Sequence, residues 1–200
     1  MSQRATRLAL LAGAFAIGLL LCLGLVLVAT GRLGGGSQVA TAAAVGGPFR
    51  LTDQDGKPIA DTDLRGKPFL MFFGFTHCPD VCPTALFEAS ELLRALGPDA
   101  GRTAVLFVSV DPERDSPAVL KDYLSSFDPN LRGVTGTPEE IAAVAKSFRV
   151  YYRKVPLEAG DYTMDHTAIV YLMDKQGKFV APFNIKRAPE DAAADLRKYF

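Results

Sequence analysis

The stretch from Phe69 to Pro83, FLMFFGFTHCPDVCP, constrains the fold of this chain more than any other. Its first half, Phe69–Phe75, is apolar, rich in Phe and bounded by turn residues, which predicts a buried central strand. Cys78 and Cys82 follow, and a helical pattern then runs over Pro83–Leu96. Pro is tolerated in a first helical turn, so the helix begins close to the second cysteine. The two thiols therefore lie where a buried strand passes into the N-terminus of a helix.

This position predicts an unusual chemistry for the thiol pair. Unpaired backbone N–H groups and the helix dipole favour a negative sulfur, so we expect at least one thiol to titrate below the ordinary pKa of about 8.5. If the first turn is helical, the spacing of four residues places Cys78 and Cys82 on one face. The pair can then close to a disulfide or chelate one ion. Soft thiolates select Cu(I) or Zn, and an imidazole can complete such a site.

The N-terminal segment predicts a membrane anchor. Leu8–Ala29 contains no charged residue over 22 positions, more than the ~20 that cross a bilayer core as a helix. Arg4 and Arg7 precede it and only Arg32 lies close behind, so the positive-inside rule leaves the N-terminus in the cytoplasm. A cleaved signal peptide is the alternative, with small residues at Ala40–Ala44. Signal apolar segments span only about 7–15 residues, which favours an uncleaved anchor.

These features divide the chain into three predicted regions. Residues 1–30 form a cytoplasmic stub and a transmembrane anchor, residues 31–47 a Gly-rich flexible linker, and residues 48–200 a globular domain. We expect a protein of the bacterial inner membrane whose domain faces the periplasm, where a disulfide bond is permitted. The domain holds 19 basic and 22 acidic residues, which argues against a nucleic-acid partner.

The globular region alternates strands with helices. Phe49–Thr52 and Lys57–Ile59 predict a hairpin with its turn at Asp55-Gly56. The further predicted elements are a strand at Thr103–Val110, a helix at Ser116–Phe127, an extended piece at Leu131–Gly136, a helix at Thr137–Phe148, a strand at Val150–Val155, a polar excursion at Pro156–Thr163, strands at Thr167–Met173 and Phe179–Pro182, and a helix at Pro189–Phe200. This order predicts an α/β, thioredoxin-like fold with an N-terminal β-hairpin extension, behind one N-terminal transmembrane helix.

Two histidines are available as further ligands. By strand alternation His77 points away from Cys78, so we interpret it as a loop residue. His166 stands just before a predicted strand, at the place where a thioredoxin carries a cis-proline that faces the dithiol. We therefore predict His166 as the third ligand of a metal site, and we expect Asp165 to orient its ring.

Three segments of the chain resemble the Sco/SenC family. They are GFTHCPDVCP at Gly74–Pro83, VSVDPERD at Val108–Asp115 and DYTMDHTAIVYLMDKQGKF at Asp161–Phe179. The similarity extends over about residues 48–200. Proteins of this family are membrane-anchored copper proteins with a thioredoxin fold that serve cytochrome c oxidase assembly.

The resemblance implies a copper ion bound by Cys78, Cys82 and His166. It implies a metallochaperone, rather than an enzyme, that passes copper to the dinuclear copper A site of an oxidase subunit. The expected partners are that subunit, other copper chaperones or thioredoxin-like reductants, and the membrane through residues 8–29.

Other functions use the same two sulfurs. A thiol–disulfide oxidoreductase would keep the cysteines of the oxidase copper site reduced, with Cys78 as the attacking thiolate. His166 distinguishes this alternative, because thiol exchange does not require an imidazole. A peroxidase needs one peroxidatic cysteine in a Thr/Arg pocket, and the paired Cys78 and Cys82 argue against it. A purely structural disulfide fits poorly with an activated strand-to-helix turn.

Overall fold

The structure, a computed structural model, describes residues 3–29 and 45–200, with side chains over residues 13–26 of the first segment. The chain divides into an N-terminal unit and a folded unit that begins at Ala44. Helix α1 covers Gln3–Ala29. In the part of the chain that the structure describes, no helix combines the length and apolarity needed to cross a membrane. The linker predicted at residues 31–47 lies mostly outside the described residues, and the division into anchor, linker and domain stays a prediction.

The folded unit contains four further α-helices, three short 3₁₀ helices and nine strands among its described residues. The helices are α2 (Val81–Leu96), α3 (Pro117–Leu124), α4 (Pro138–Ser147) and α5 (Pro189–Arg197). The strands are β1 (Arg50–Asp53), β2 (Pro58–Ala60), β3 (Phe69–Gly74), β4 (Ala104–Ser109), β5 (Leu131–Thr135), β6 (Tyr152–Pro156), β7 (Tyr162–His166), β8 (Val170–Met173) and β9 (Phe179–Pro182).

Seven strands form one sheet in the order β2-β1-β5-β4-β3-β8-β9. Strands β3, β4 and β5 are parallel, whereas β8 runs antiparallel to β3 and β1 antiparallel to β5. Every residue of β3 is buried, as its apolar run predicts. Two βα units followed by the β8–β9 hairpin and α5 confirm the predicted thioredoxin-like α/β order.

The N-terminal hairpin is also confirmed. Strands β1 and β2 pair antiparallel, with Leu51 opposite Ile59. The turn is fixed by Asp53, whose Oδ1 accepts hydrogen bonds from the backbone N–H groups of Asp55 and Lys57, each at 2.9 Å. Gly56 has φ +77°, a left-handed conformation that favours glycine. The hairpin therefore extends the sheet beyond β5.

The predicted end of α2 at Leu96 and the capping signals of α3 and α4 are confirmed, but the predicted ends of α3 and α5 lie too far along the chain. Ser116 caps α3 by accepting a hydrogen bond from Val119 N–H, and Thr137 forms a capping box with Glu140. Helix α3 ends at Leu124 rather than Phe127, with Ser125 as its C-cap. Helix α5 likewise ends at Arg197 rather than Phe200.

The segment between α4 and β8 differs from the prediction. The predicted polar excursion at Pro156–Thr163 is instead the tip of a hairpin, because β6 and β7 pair antiparallel in a separate two-stranded sheet. Tyr152 lies opposite His166 in this pair. The next strand begins at Val170 rather than Thr167, since residues 167–169 carry the chain from the small sheet to the main one.

Candidate metal centre

The end of β3 and the start of α2 bring the two cysteines together. Cys78 lies in the turn between them, and its N–H donates a hydrogen bond to the carbonyl oxygen of Phe75 at 3.3 Å. Cys82 is the second residue of α2, and its N–H donates to the Sγ of Cys78 at 3.4 Å. The sulfurs therefore meet through the turn and not across one helical face, because Cys78 precedes the helix. Both thiols are free.

Burial decides the acidity of the second thiol. Cys82 is completely buried, whereas Cys78 keeps 9% of its surface exposed. Burial raises the pKa of the Cys82 thiol strongly, and the adjacent Cys78 raises it further. For Cys82, desolvation therefore outweighs any lowering of the pKa by the helix N-terminus, and the expectation that at least one thiol of the pair titrates below its ordinary pKa stays a prediction. The thiol is protonated at neutral pH.

His166 closes the site from the opposite side. It is the last residue of β7, and its Nε2 lies 3.6 Å from the Sγ of Cys82. Its Nδ1 lies 3.2 Å from the carbonyl oxygen of Thr167, which can only accept, so Nδ1 carries the proton and Nε2 presents its lone pair to the sulfur. Burial lowers the pKa of His166 and favours this neutral form. The rings of Phe72 and Phe75 pack edge-on against the imidazole, with centroids 6.2 Å and 5.8 Å away.

The expected role of Asp165 is wrong. Its carboxylate accepts hydrogen bonds from the guanidinium of Arg153 on the neighbouring strand, at 2.9 Å and 3.0 Å. Neighbouring residues on a strand point to opposite faces, so Asp165 cannot face the same way as His166. The carbonyl oxygen of Thr167, rather than the carboxylate of Asp165, accepts the hydrogen bond from the ring of His166.

His77 lies in the turn but outside the site. Its side chain is half exposed, with Nδ1 3.0 Å from the Oγ1 of Thr76 and 4.0 Å from a carboxylate oxygen of Asp115. The interpretation of His77 as a loop residue is confirmed by this placement.

The three predicted ligands form one cluster. Within residues 3–29 and 45–200, the only group of three metal-binding side chains is Cys78, Cys82 and His166, whose donor atoms all lie within 4.8 Å of one another. Donor atoms about 2.0–2.3 Å from one ion and 120° apart are separated by about 3.5–4.0 Å, so small shifts would let all three reach one metal ion. Two sulfurs and one imidazole form a soft donor set that suits copper or zinc.

An open, largely apolar groove of about 410 Å³ lies beside this cluster. Asp80 and Val81, between the two cysteines, form one wall, and Ala168 and Ile169, just after the histidine, form another. Apolar groups of a partner could therefore reach the immediate surroundings of the donor atoms.

Sequence reasoning missed two features around the site. The β6–β7 hairpin, which carries His166, could have been predicted from the Gly160-Asp161 turn between two extended runs. The loop Asp111–Asp115 carries four charged residues in the sequence, a composition typical of an exposed loop, yet Asp111 and Asp115 are 1% and 0% exposed. Two of their partners, Thr76 and Tyr162, lie far away in sequence, so no local pattern predicts this burial.

The fold and the site together define a class: thioredoxin-like proteins in which a Cys-x-x-x-Cys pair and a histidine converge on a soft-metal site. The SCO1/SenC family model matches residues 37–200 of this chain. The chain belongs to the SCO1/SenC family.

Comparisons with individual relatives agree with this assignment. The mitochondrial SCO1 homolog 1 of Arabidopsis thaliana is 45% identical over 162 residues, which cover 78% of this chain and 48% of that protein. This chain therefore spans about half the length of that relative. The structure of Bradyrhizobium japonicum ScoI with copper bound is 65% identical, covers 78% of this chain and 100% of that chain, and has a TM-score of 0.77. BsSco is 27% identical, with a TM-score of 0.62, and covers 78% of this chain and 94% of its own. It is described as a member of the Sco family of cytochrome c oxidase assembly proteins with a disulfide switch.

Proposed function

We propose that this protein is a membrane-anchored copper metallochaperone that delivers copper to the dinuclear copper A site during cytochrome c oxidase assembly. Cys78, Cys82 and His166 bind the copper ion. The observation that carries this proposal is the convergence of their three donor atoms within 4.8 Å. Family membership supports it, since ScoI of Bradyrhizobium japonicum has a structure with copper bound.

In this proposal copper is cargo and leaves by ligand exchange. Thiolates of the oxidase subunit replace the protein thiolates one at a time, so the metal is never released as a free ion. Each incoming thiol loses a proton, and each departing cysteine takes one up. The high pKa of Cys82 favours this last step, because its sulfur is held as a neutral thiol once the metal has gone.

The decisive experiment separates the two histidines. His166→Ala should weaken copper retention against a competing chelator by at least about 100-fold, since loss even of an outer-shell partner costs about 10–100-fold. His77→Ala is the matched control and should keep most of the affinity, because His77 lies outside the donor cluster. Unchanged copper affinity in His166→Ala, or a larger loss in His77→Ala, would refute the proposed ligand set.

A second candidate function is a thiol–disulfide oxidoreductase that keeps the copper-site cysteines of the oxidase reduced. One observation favours it: the N–H of Cys82 contacts the Sγ of Cys78 at 3.4 Å, which brings two free thiols into reach of each other. A dithiol redox titration of the same histidine variants tests it. A redox potential that His166→Ala leaves unchanged, with unchanged copper affinity, would favour the oxidoreductase.

The location follows from the N-terminal sequence. Leu8–Ala29 anchors the chain in the bacterial inner membrane, with Arg4 and Arg7 on the cytoplasmic side and the thioredoxin-like domain in the periplasm. The anchored domain would meet the oxidase subunit at the membrane surface. Other copper chaperones or thioredoxin-like reductants would load the site and reduce its cysteines.

A further inference from the structure

The loop Asp111–Asp115, which we call the DPERD loop after its sequence, places two buried carboxylates beside the metal centre. Asp111 is 1% exposed and Asp115 is 0% exposed, although neither belongs to the donor cluster. Carboxylates this deeply buried are costly unless they are paired and hydrogen-bonded. Their partners therefore indicate what the loop does.

Asp115 holds the turn that carries Cys78. One of its oxygens accepts hydrogen bonds from the N–H of Thr76 at 3.0 Å and from the hydroxyl of Ser109 at 2.6 Å. The other oxygen accepts from the hydroxyl of Thr76 at 2.6 Å. Thr76 lies two residues before Cys78, so Asp115 fixes the approach of the chain to the first sulfur.

Arg114 and Asp111 hold the hairpin that carries His166. The Nε of Arg114 donates to Asp111 at 2.5 Å, and its Nη1 donates to the carbonyl oxygen of Tyr162 at 2.9 Å. The hydroxyl of Tyr162 donates to the other oxygen of Asp111 at 2.8 Å. Burial and this carboxylate raise the pKa of Tyr162 to about 12, so the hydroxyl keeps its proton. Tyr162 begins the strand that His166 ends.

Contacts with aromatic rings also connect Arg114 to His166. The guanidinium carbon of Arg114 lies 3.7 Å from the ring centroid of Tyr162 and 6.0 Å from that of Phe75. The ring of Phe75 in turn packs edge-on against His166, with the ring planes at 86°. Arg114 therefore supports both the start of strand β7 and one of the rings that confine the imidazole.

We infer that Arg114 is a positioning residue for His166, and that the DPERD loop as a whole clamps the hairpin carrying His166 against the turn carrying Cys78. The inference rests on the proposed ligand set. The clamp would fix the third ligand at coordination distance before copper arrives, so that little free energy is spent on ordering the hairpin. Arg114 touches no donor atom, and its effect on copper must pass through His166.

This dependence can be tested with a double-mutant cycle on the full-length protein. Arg114→Gln removes the guanidinium and should lower copper affinity in a chelator competition by about 10–100-fold, the usual effect of losing an outer-shell partner. In a His166→Ala background the same substitution should change the affinity by less than about twofold, since the residue through which it acts is absent. X-ray absorption of the copper-loaded Arg114→Gln protein should show a weakened nitrogen contribution with the sulfur contribution retained.

Arg102→Gln is the matched control. Arg102 also pairs with a carboxylate, that of Asp99 at 3.4 Å, and its guanidinium carbon also lies over a ring, 4.7 Å from the centroid of Phe200, but Arg102 is exposed and belongs neither to the hairpin nor to the DPERD loop. Exposed pairs contribute little, so its copper affinity should stay within about twofold of the unmodified protein. If Arg114→Gln fails to fold, Tyr162→Phe removes only the hydroxyl on Asp111 and should give a smaller loss that also vanishes without His166.

The outcomes separate the clamp from the proposed function. An equal loss of affinity from Arg114→Gln in both backgrounds would show a general structural effect and overturn the inference, while the ligand set would stand. No loss from either Arg114→Gln or Tyr162→Phe would also overturn it. No loss from His166→Ala alone would refute the proposed ligand set, and the clamp with it.

Discussion

Gly74→Ala tests how tightly the fold encloses the second sulfur. A Cβ at Gly74 would lie 2.6 Å from a ring carbon of Phe107, 2.7 Å from the Sγ of Cys82 and 3.2 Å from a ring carbon of Phe72. Cys82 and Phe107 are both completely buried, so neither can retreat into solvent. Glycine is needed here for space, because its backbone is that of an ordinary β-strand.

The size of the effect follows from these distances. Nonbonded carbon contacts have an optimum near 3.5–4.0 Å, so the sulfur and the ring of Phe107 must each move away from the new Cβ by roughly 0.8–0.9 Å or more. Overpacking of this kind typically destabilises the folded state by about 1–3 kcal/mol. Because alanine restricts the unfolded chain more than glycine does, about 0.4–1 kcal/mol of this loss is offset. We expect a net loss of about 1–2 kcal/mol in the free energy of unfolding. A sulfur displaced by this amount should also lower copper affinity at least about tenfold.

Urea unfolding and chelator competition on the purified full-length protein measure both effects. Gly101→Ala is the matched control, because a Cβ at Gly101 meets nothing within 4 Å. It should change the free energy of unfolding by less than about 1 kcal/mol and leave copper affinity unchanged. If Gly74→Ala behaves like Gly101→Ala in both measurements, Cys82 and Phe107 can make room for the Cβ without loss of stability or copper affinity, and the packing argument is wrong.

Three further predictions concern protons, redox state and topology. Because burial raises the pKa of Cys82, copper binding must displace its proton, and copper affinity should rise by at least about tenfold per pH unit from pH 6 to pH 9; a plateau below pH 9 would contradict the raised pKa. Oxidation to a Cys78–Cys82 disulfide should abolish copper binding and reduction should restore it, measured by metal analysis; equal loading of both forms would exclude these sulfurs as ligands. Alkaline phosphatase fused after Phe200 should be active in cells if Leu8–Ala29 is an anchor in the proposed orientation. An inactive phosphatase fusion, together with an active cytoplasmic reporter at the same site, would refute this orientation.

The sequence predicted those parts of the fold that depend on local patterns. The apolar run of β3, the Asp55-Gly56 turn and the Thr137–Glu140 capping box each combine a periodicity with a residue of special geometry, and all three are present. The position of His166 beside the dithiol was predicted from the order of elements in a thioredoxin-like fold. The structure brings its Nε2 within 3.6 Å of a sulfur.

Features that depend on long-range burial were not predictable in this way. The helix dipole acts at any helix N-terminus, but the pKa of Cys82 is raised by desolvation, whose size depends on how the folded chain buries the sulfur. Several hydrogen bonds of the DPERD loop join residues far apart in sequence: Thr76 with Asp115, 39 positions away, and Asp111 with Tyr162, 51 positions away. Asp165 contacts Arg153 instead of His166, because successive residues of a strand point to opposite faces.

The unequal burial of the two cysteines bears on the order in which a partner would take the metal. Ligand exchange and disulfide exchange both begin with attack by an outside thiolate, which needs access. Cys78 keeps 9% of its surface exposed, whereas Cys82 has none and lies 3.6 Å from the Nε2 of His166. An incoming thiolate would therefore replace Cys78 first, with Cys82 and His166 holding the metal until the second exchange. The same asymmetry makes Cys78 the attacking sulfur in the oxidoreductase alternative. One fully buried sulfur, one partly exposed sulfur and a confined imidazole thus suit stepwise transfer, and the imidazole is the part of this site that thiol exchange would not require.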